Sequence, residues 1–299
     1  MTARTLSRAS LVAVAVSALA LAGCSSASDA DTSATPTDAA TGTPESTATS
    51  TVTGEAPLDT VTDGVLTIAT GNPVYQPWMV NDDPANGEGF ESAVAYAVAE
   101  ELGYTPEQVV WVRTSFESAI APGPKDWDMN IQQFSITDER KNAVDFSSPY
   151  YTTTQAIIAD ADSTLAGADT LADLAGYKLG VPSGTTSYTV AEQEIGKDAL
   201  AVFNSAEDTV AAYNSGQVDA FVIDLPSAFY LTDVELDNAI VVGQVTSRLF
   251  GDDFGFVLPK DSPNTEAVTA AVDALDADGT LAAIETEWLS TAVDVPVLN

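Results

Sequence analysis

Between residues 90 and 102 an apolar side chain recurs at every fourth position, Phe90, Val94, Val98 and Leu102, a spacing that lines one face of a helix. Gly103 is placed to stop that helix. The runs on either side, residues 65–70 and 109–112, are β-branched and aromatic in character and read as strands. A short helix near 116–120 and a strand over 129–134 follow. Strands that alternate with helices in this way fold as a mainly parallel sheet covered on both faces, which limits the chain to the α/β class.

The alternation restarts near residue 157. Residues 168–193 supply a short helix, a strand ending at Pro182, a loop and a further helix. Ser205 can cap a helix that runs to Ser215, Gly216 ends it, and residues 218–224, VDAFVID, read as a buried strand closing on Asp224. The chain recrosses near 242–246. Ser262 and Pro263 mark a helix start, with Val268, Val272 and Leu275 on one face, and Leu281, Ile284 and Trp288 belong to a last helix. This C-terminal part is expected to return to the first unit.

The N-terminal residues carry Arg4 and Arg8, an apolar run over 11–21, then Ala22, Gly23 and Cys24. That run falls short of the roughly 20 apolar residues that span a bilayer. With its basic flank and small-residue end it reads as a bacterial lipoprotein signal over 1–23. Cys24 is the single cysteine of the chain and resembles the lipobox cysteine that is acylated and becomes the mature N-terminus. An extracytoplasmic protein anchored by lipid to the cell membrane is the expectation. One cysteine allows no disulfide within the chain, so the fold must rest on its core. Residues 24–60 are Ser, Thr, Ala, Pro, Gly and Asp with almost no large apolar side chains, the composition of a disordered tether.

Charge narrows the functional classes. The chain has 44 acidic and 10 basic residues, a formal net charge of −34, so its surface repels nucleic acid and anionic lipid. It contains no histidine, which removes Ser-His-Asp and Cys-His catalysis and histidine metal ligation. A glycine-rich phosphate loop and an acidic calcium loop with its closing Glu are also missing from the sequence, so neither cofactor nor metal is expected.

The segment from Asp128 to Tyr151, DMNIQQFSITDERKNAVDFSSPYY, carries the most chemistry. Thr137 can cap a helix after the 129–134 strand, and Arg140 then stands in its first turn beside free backbone donors. A guanidinium there can make two parallel hydrogen bonds to a carboxylate. Spacing alone fits a surface arginine paired with Asp138 or Glu139 more readily. However, SIT-x-ER followed by VDFSSPYY resembles the signature of family 3 extracellular solute-binding proteins, the polar amino-acid binders of ABC importers. The resemblance runs from about Gly64 to Ser290.

That resemblance implies a two-lobe, type II periplasmic-binding-protein-like α/β fold, with a ligand cleft between lobes joined by two crossing strands. Residues 61–156 and 246–299 would form the first lobe and 157–245 the second. It implies that Ser135 and Arg140 hold the α-carboxylate of an amino acid, that Thr185 and Thr186 in SGTTS approach it from the second lobe, and that Asp224 receives the ammonium. The Gln133 carbonyl would be a second acceptor. Tyr75 and Phe116 would pack the two faces of the ligand, and Trp78 would be structural. Where relatives often carry an aspartate this chain has Asn72, and where they carry a small residue it has Gln133; two neutral amides favour a glutamine- or asparagine-like ligand side chain, with glutamate and basic amino acids left open. The implied partners are the amino acid and the transmembrane subunits of an ABC permease, with the protein a monomer that performs no chemistry. Alternatives are a cyclohexadienyl-dehydratase-like enzyme on the same scaffold, with Asp224 or Glu117 as proton donor, and a ligand sensor for a membrane partner.

Overall fold

The computed structural model describes residues 58–246, 252–289 and 295–298. The lipoprotein signal, Cys24 and the tether up to residue 57 lie outside the described residues. The chain first forms β1 (Leu66–Thr70), α1 (Phe90–Glu101), β2 (Val109–Arg113), α2 (Phe116–Ile120), β3 (Met129–Asn130) and β4 (Val144–Thr153). It continues through β5 (Gln155–Asp160), β6 (Leu179–Pro182), α3 (Thr186–Glu194), β7 (Leu200–Phe203), α4 (Ala206–Asn214), β8 (Ala220–Asp224) and α5 (Leu225–Tyr230). The last elements are β9 (Ala239–Val245), β10 (Asp252–Pro259), α6 (Thr265–Ala277) and α7 (Thr280–Trp288).

Two five-stranded sheets result, ordered β2-β1-β3-β10-β4 and β7-β6-β8-β5-β9. Each joins a parallel trio to two antiparallel strands: β1 lies parallel to β2 and β3 while β10 runs against β3 and β4, and β6 lies parallel to β7 and β8 while β5 runs against β8 and β9. The sheets are therefore mixed, where strand–helix alternation predicts mainly parallel pairing. The cause is the crossover. Only Thr154 separates β4 from β5, so one extended run leaves the first sheet and enters the second without a helix to reverse it.

Periodicity in the sequence corresponds to the core. Phe90, Val94 and Val98 of α1 and Val268, Val272 and Leu275 of α6 are buried in one cluster with Leu66 and Ile68 of β1, and Gly103 stops α1 with φ 87°. A second cluster, with Ile157, Val181, Val190 and Val222, holds the other lobe. A smaller one under α2 gathers Trp127 and Phe134, with Phe116 packed against it.

Local departures from the sequence reading concentrate where the site lies. The strand expected over 129–134 stops at Asn130, because the backbone turns at Gln133, whose φ is +49°. The helix expected after Thr137 is one 3-10 turn, Arg140–Asn142, although the Arg140 N–H does donate to Thr137 Oγ1 at 3.2 Å. Helix α6 begins two residues after Pro263, with Asn264 at its N-cap, and the Asn264 amide makes bonds of 2.9 and 2.7 Å with the Asp59 backbone. The last described residues side with the second sheet and not the first: Val297 bridges Gln244, and Leu298 sits over Gly243, where any Cβ would lie 2.6 Å from Leu298 Cγ.

Candidate functional site

Between the lobes lies a cavity of about 550 Å³, within the range of small-molecule sites. The loop after β1, the start of α2, the turn after β3, the β6–α3 loop and the end of β8 all open into it. Asn72, Tyr75, Phe116, Gln133, Arg140, Thr185, Thr186 and Asp224 line it together, and Ser135 is buried next to Thr186. Residues far apart in sequence thus converge as expected.

Arg140 is 9 % exposed. Its Nη1 donates to the Ser135 carbonyl at 2.8 Å and its Nη2 to the Gly184 carbonyl at 3.0 Å, so it joins the first lobe to the β6–α3 loop of the second. A guanidinium has five N–H donors, which leaves others for an anion in the cleft. The Phe116 ring centroid is 5.3 Å and the Phe134 centroid 5.8 Å from its central carbon. Burial lowers the Arg140 pKa to about 10, opposed by the Asp252 and Asp224 carboxylates, and the side chain stays cationic at neutral pH. The pairing with Asp138 or Glu139 is not formed; Asp138 is bridged by Lys141.

Opposite Arg140, Thr185 caps α3, its Oγ1 accepting from the Tyr188 N–H at 3.2 Å and donating to the Pro182 carbonyl at 2.8 Å. The cap occupies this hydroxyl, so what the β6–α3 loop can offer an anion is the first free N–H groups of the helix. Thr186 Oγ1 lies 3.2 Å from Ser135 Oγ, across the lobes.

Asp224 ends β8 and belongs to a network that the sequence reading missed. Gln155, the first residue of β5, donates from Nε2 to Asp224 Oδ1 at 2.7 Å and also to Asp252 Oδ2, and its Oε1 accepts from Ser187 Oγ at 2.6 Å. Asp252, the first residue of β10, accepts from Ser135 Oγ at 2.6 Å. Burial first, and then the neighbouring Asp252 carboxylate, hold the Asp224 carboxyl well above the usual carboxylate range. A cation delivered to Asp224 would relieve both effects.

The remaining expected residues divide. Phe116 stacks on Phe134 with centroids 4.3 Å apart and forms a wall under Arg140. Tyr75 lines the cavity at its rim and is 45 % exposed, with its pKa pushed to about 12 by partial burial and by Glu207 of the opposite lobe. Asn72 is also an exposed rim residue. Gln133 lines the cavity with its donors taken by Glu91: its main-chain N–H donates to Glu91 Oε1 at 2.7 Å, and its side-chain Nε2 donates to Glu91 Oε2. Gln132 lines the cavity beside it, and its Oε1 is buried without a hydrogen-bond partner among the described residues. Trp78 is structural as expected, 3 % exposed in the first core, yet its Nε1 donates across the lobes to Ser227 Oγ at 2.8 Å.

Comparison with known proteins agrees with this geometry. Residues 66–291 match the family described as bacterial extracellular solute-binding proteins, family 3. The L-arginine-binding protein of Pseudomonas aeruginosa is 31% identical over 224 residues, 72% of this chain and 85% of the relative. The L-cystine-binding protein TcyJ of Escherichia coli is 29% identical over 223 residues, 73% of this chain and 80% of the relative. Among solved structures, an ancestral arginine-binding protein bound to arginine superposes with a TM-score of 0.64 at 29% identity, covering 76% of this chain and 99% of that one. An ancestral arginine-binding protein bound to glutamine gives 0.64 at 28% identity, covering 77% of this chain and 100% of that one. From the family match over three quarters of its length and the two-lobe α/β fold, this chain is a member of family 3 of the bacterial extracellular solute-binding proteins.

Proposed function

We propose that the protein is the extracytoplasmic binding component of an ABC importer. It is anchored by lipid at Cys24, holds a polar α-amino acid between its lobes, presents the closed form to the permease as a monomer, and does no chemistry itself. The observation that carries this reading is the meeting of Arg140, the N-terminus of α3 and Asp224 in one cavity. A buried cation with helix donors suits a carboxylate, and a buried carboxylate suits an ammonium. The naming of relatives as amino-acid-binding proteins supports it.

For the side chain, Gln132 and Asn72 are amide residues among those that line the cavity, and amides complement a glutamine-like ligand. A basic side chain is the second reading. Glu117, Glu207 and Glu235 line the cavity, and among the lining residues Arg140 is the sole cation, so once Arg140 and Asp224 have taken the zwitterion the wall remains anionic. Relatives named for arginine agree with it.

A thermal-shift screen of the protein against the proteinogenic amino acids tests both. A ligand at about 100 times its dissociation constant stabilises the fold by roughly 2.7 kcal/mol. Glutamine or arginine should give the largest shift, and no shift with any amino acid would refute the proposal. Cys24→Ala should move the protein from the membrane to the soluble fraction.

A further inference from the structure

The cavity between the lobes is larger than an amino acid needs. At roughly 30 Å³ per water, its volume of about 550 Å³ holds on the order of eighteen waters, whereas glutamine brings about ten non-hydrogen atoms and arginine about twelve. The lining continues far into the second lobe. Glu207, Val210, Ala211 and Asn214 belong to it from one face of α4, at helical spacings of three and four, and carry it about 10 Å along that helix. The other wall of this groove is the π-helical turn Leu231–Glu235 after α5, closed by the Leu236 N–H on the Leu231 carbonyl at 2.8 Å. Leu231, Glu235 and Leu236 line the cavity there, and Val210, Leu231 and Leu236 pack in one apolar cluster.

Each wall of the groove contributes one carboxylate. Glu207 stands in the first turn of α4 and is hydrogen-bonded to the Tyr75 hydroxyl of the first lobe, and Glu235 accepts from the Tyr230 hydroxyl at 2.8 Å through Oε1. The ion pairs of the described residues engage neither. A carboxylate has about four acceptor sites, so both keep capacity for a further donor. Apolar side chains flanked by two such anions suit an aliphatic stem that lies on them and keeps a charged end among polar groups. We infer that the groove between α4 and the π-helical turn is a second compartment of the cleft, which takes the far end of a ligand longer than glutamine or arginine: an α-amino acid whose side-chain amide carries an aliphatic arm ending in a cation. Such a ligand unites the two side-chain readings above, with its amide served by Gln132 and Asn72 of the first lobe and its distal charge by Glu207 and Glu235 of the second.

This inference rests on the amino-acid reading above, and its test separates the two. Wild-type protein is titrated by calorimetry with L-arginine, L-glutamine, L-glutamine bearing a butyl arm on its side-chain amide, and L-glutamine bearing an aminobutyl arm there. The aminobutyl compound should bind about tenfold or more tighter than glutamine, because its methylenes leave water for the apolar side chains of the groove. It should also bind about threefold or more tighter than the butyl compound, because only its ammonium meets Glu207 and Glu235. Ala211→Phe, at an exposed position of α4, fills the groove and should lower the affinity for the aminobutyl compound relative to glutamine by about tenfold. An aminobutyl compound that binds no tighter than glutamine, equal affinity for the two armed compounds, or an Ala211→Phe variant that weakens the aminobutyl compound and glutamine alike would overturn the inference while leaving the amino-acid reading intact. Wild-type protein that binds none of the four would remove both.

Discussion

The Glu91 carboxylate accepts from both the main-chain and the side-chain amide of Gln133, and from the Tyr150 hydroxyl at 2.5 Å. This pairing holds Gln133 at φ +49°, so the chain leaves β3 and delivers Ser135 and Arg140 to the cleft. A non-glycine residue in the left-handed region persists only where its surroundings fix it. Glu91 comes from the first turn of α1, and the turn that leads to Ser135 and Arg140 is thereby tied to the main helix of its lobe.

Glu91 should make stability depend on pH. Burial raises its pKa from 4.5 to about 7. For an acid whose folded value is raised, the contribution is complete below the unfolded value and is lost as pH rises through the folded one. Between pH 4.5 and 7 wild type should lose about 3 kcal/mol relative to Glu91→Gln. Chemical denaturation of both proteins across that window measures it, and parallel pH profiles would show that Glu91 does not titrate there.

Asp224→Asn should separate folding from binding. The raised Asp224 value means that stability of the ligand-free protein falls as pH climbs through it, and the amide is spared that loss. The variant should therefore melt above wild type at neutral and alkaline pH, with the gap closing on acidification. Its ligand affinity should fall by about 3 kcal/mol or more, because a buried ammonium loses its counter-charge. Unchanged affinity by calorimetry would assign the ammonium elsewhere.

Closure is held in part by the Trp78 to Ser227 hydrogen bond between lobes. In Ser227→Ala the indole N–H would be left without this partner when the lobes are closed, at a cost of about 1 kcal/mol or more, while an open conformation lets it reach water. Populations should shift toward the open form. Small-angle scattering of the ligand-free variant should give a larger radius of gyration, and an unchanged curve would mean that this bond does not hold the lobes.

Much of this was legible in the sequence where periodicity or a local motif carries the information. The stripe of Phe90, Val94 and Val98 predicts both a helix and its buried face, and Ser205, as expected, caps α4 with its Oγ accepting from Asp208 N–H at 3.1 Å. The convergence of Arg140, Thr186 and Asp224 was readable through the family signature. What escaped depends on tertiary placement. Asp252 precedes an apolar strand and looks like a solvated strand end, and only the crossing of β10 beside β4 buries it. Gln132 and Gln133 are adjacent and chemically identical, and only the fold shows that Gln133 is tied to Glu91 while the Gln132 Oε1 is left without a partner among the described residues. The antiparallel partners of each sheet likewise follow from strands that change sheets, which no local pattern announces.

Arg140→Lys tests the central claim most directly, since it keeps the positive charge and removes the planar fork. Calorimetry with the amino acid that gives the largest thermal shift should show a loss of at least about 1.5 kcal/mol, tenfold or more in affinity, with the ligand-free melting temperature lowered only slightly. Wild-type affinity in Arg140→Lys would contradict a bidentate carboxylate clamp at the centre of the cleft.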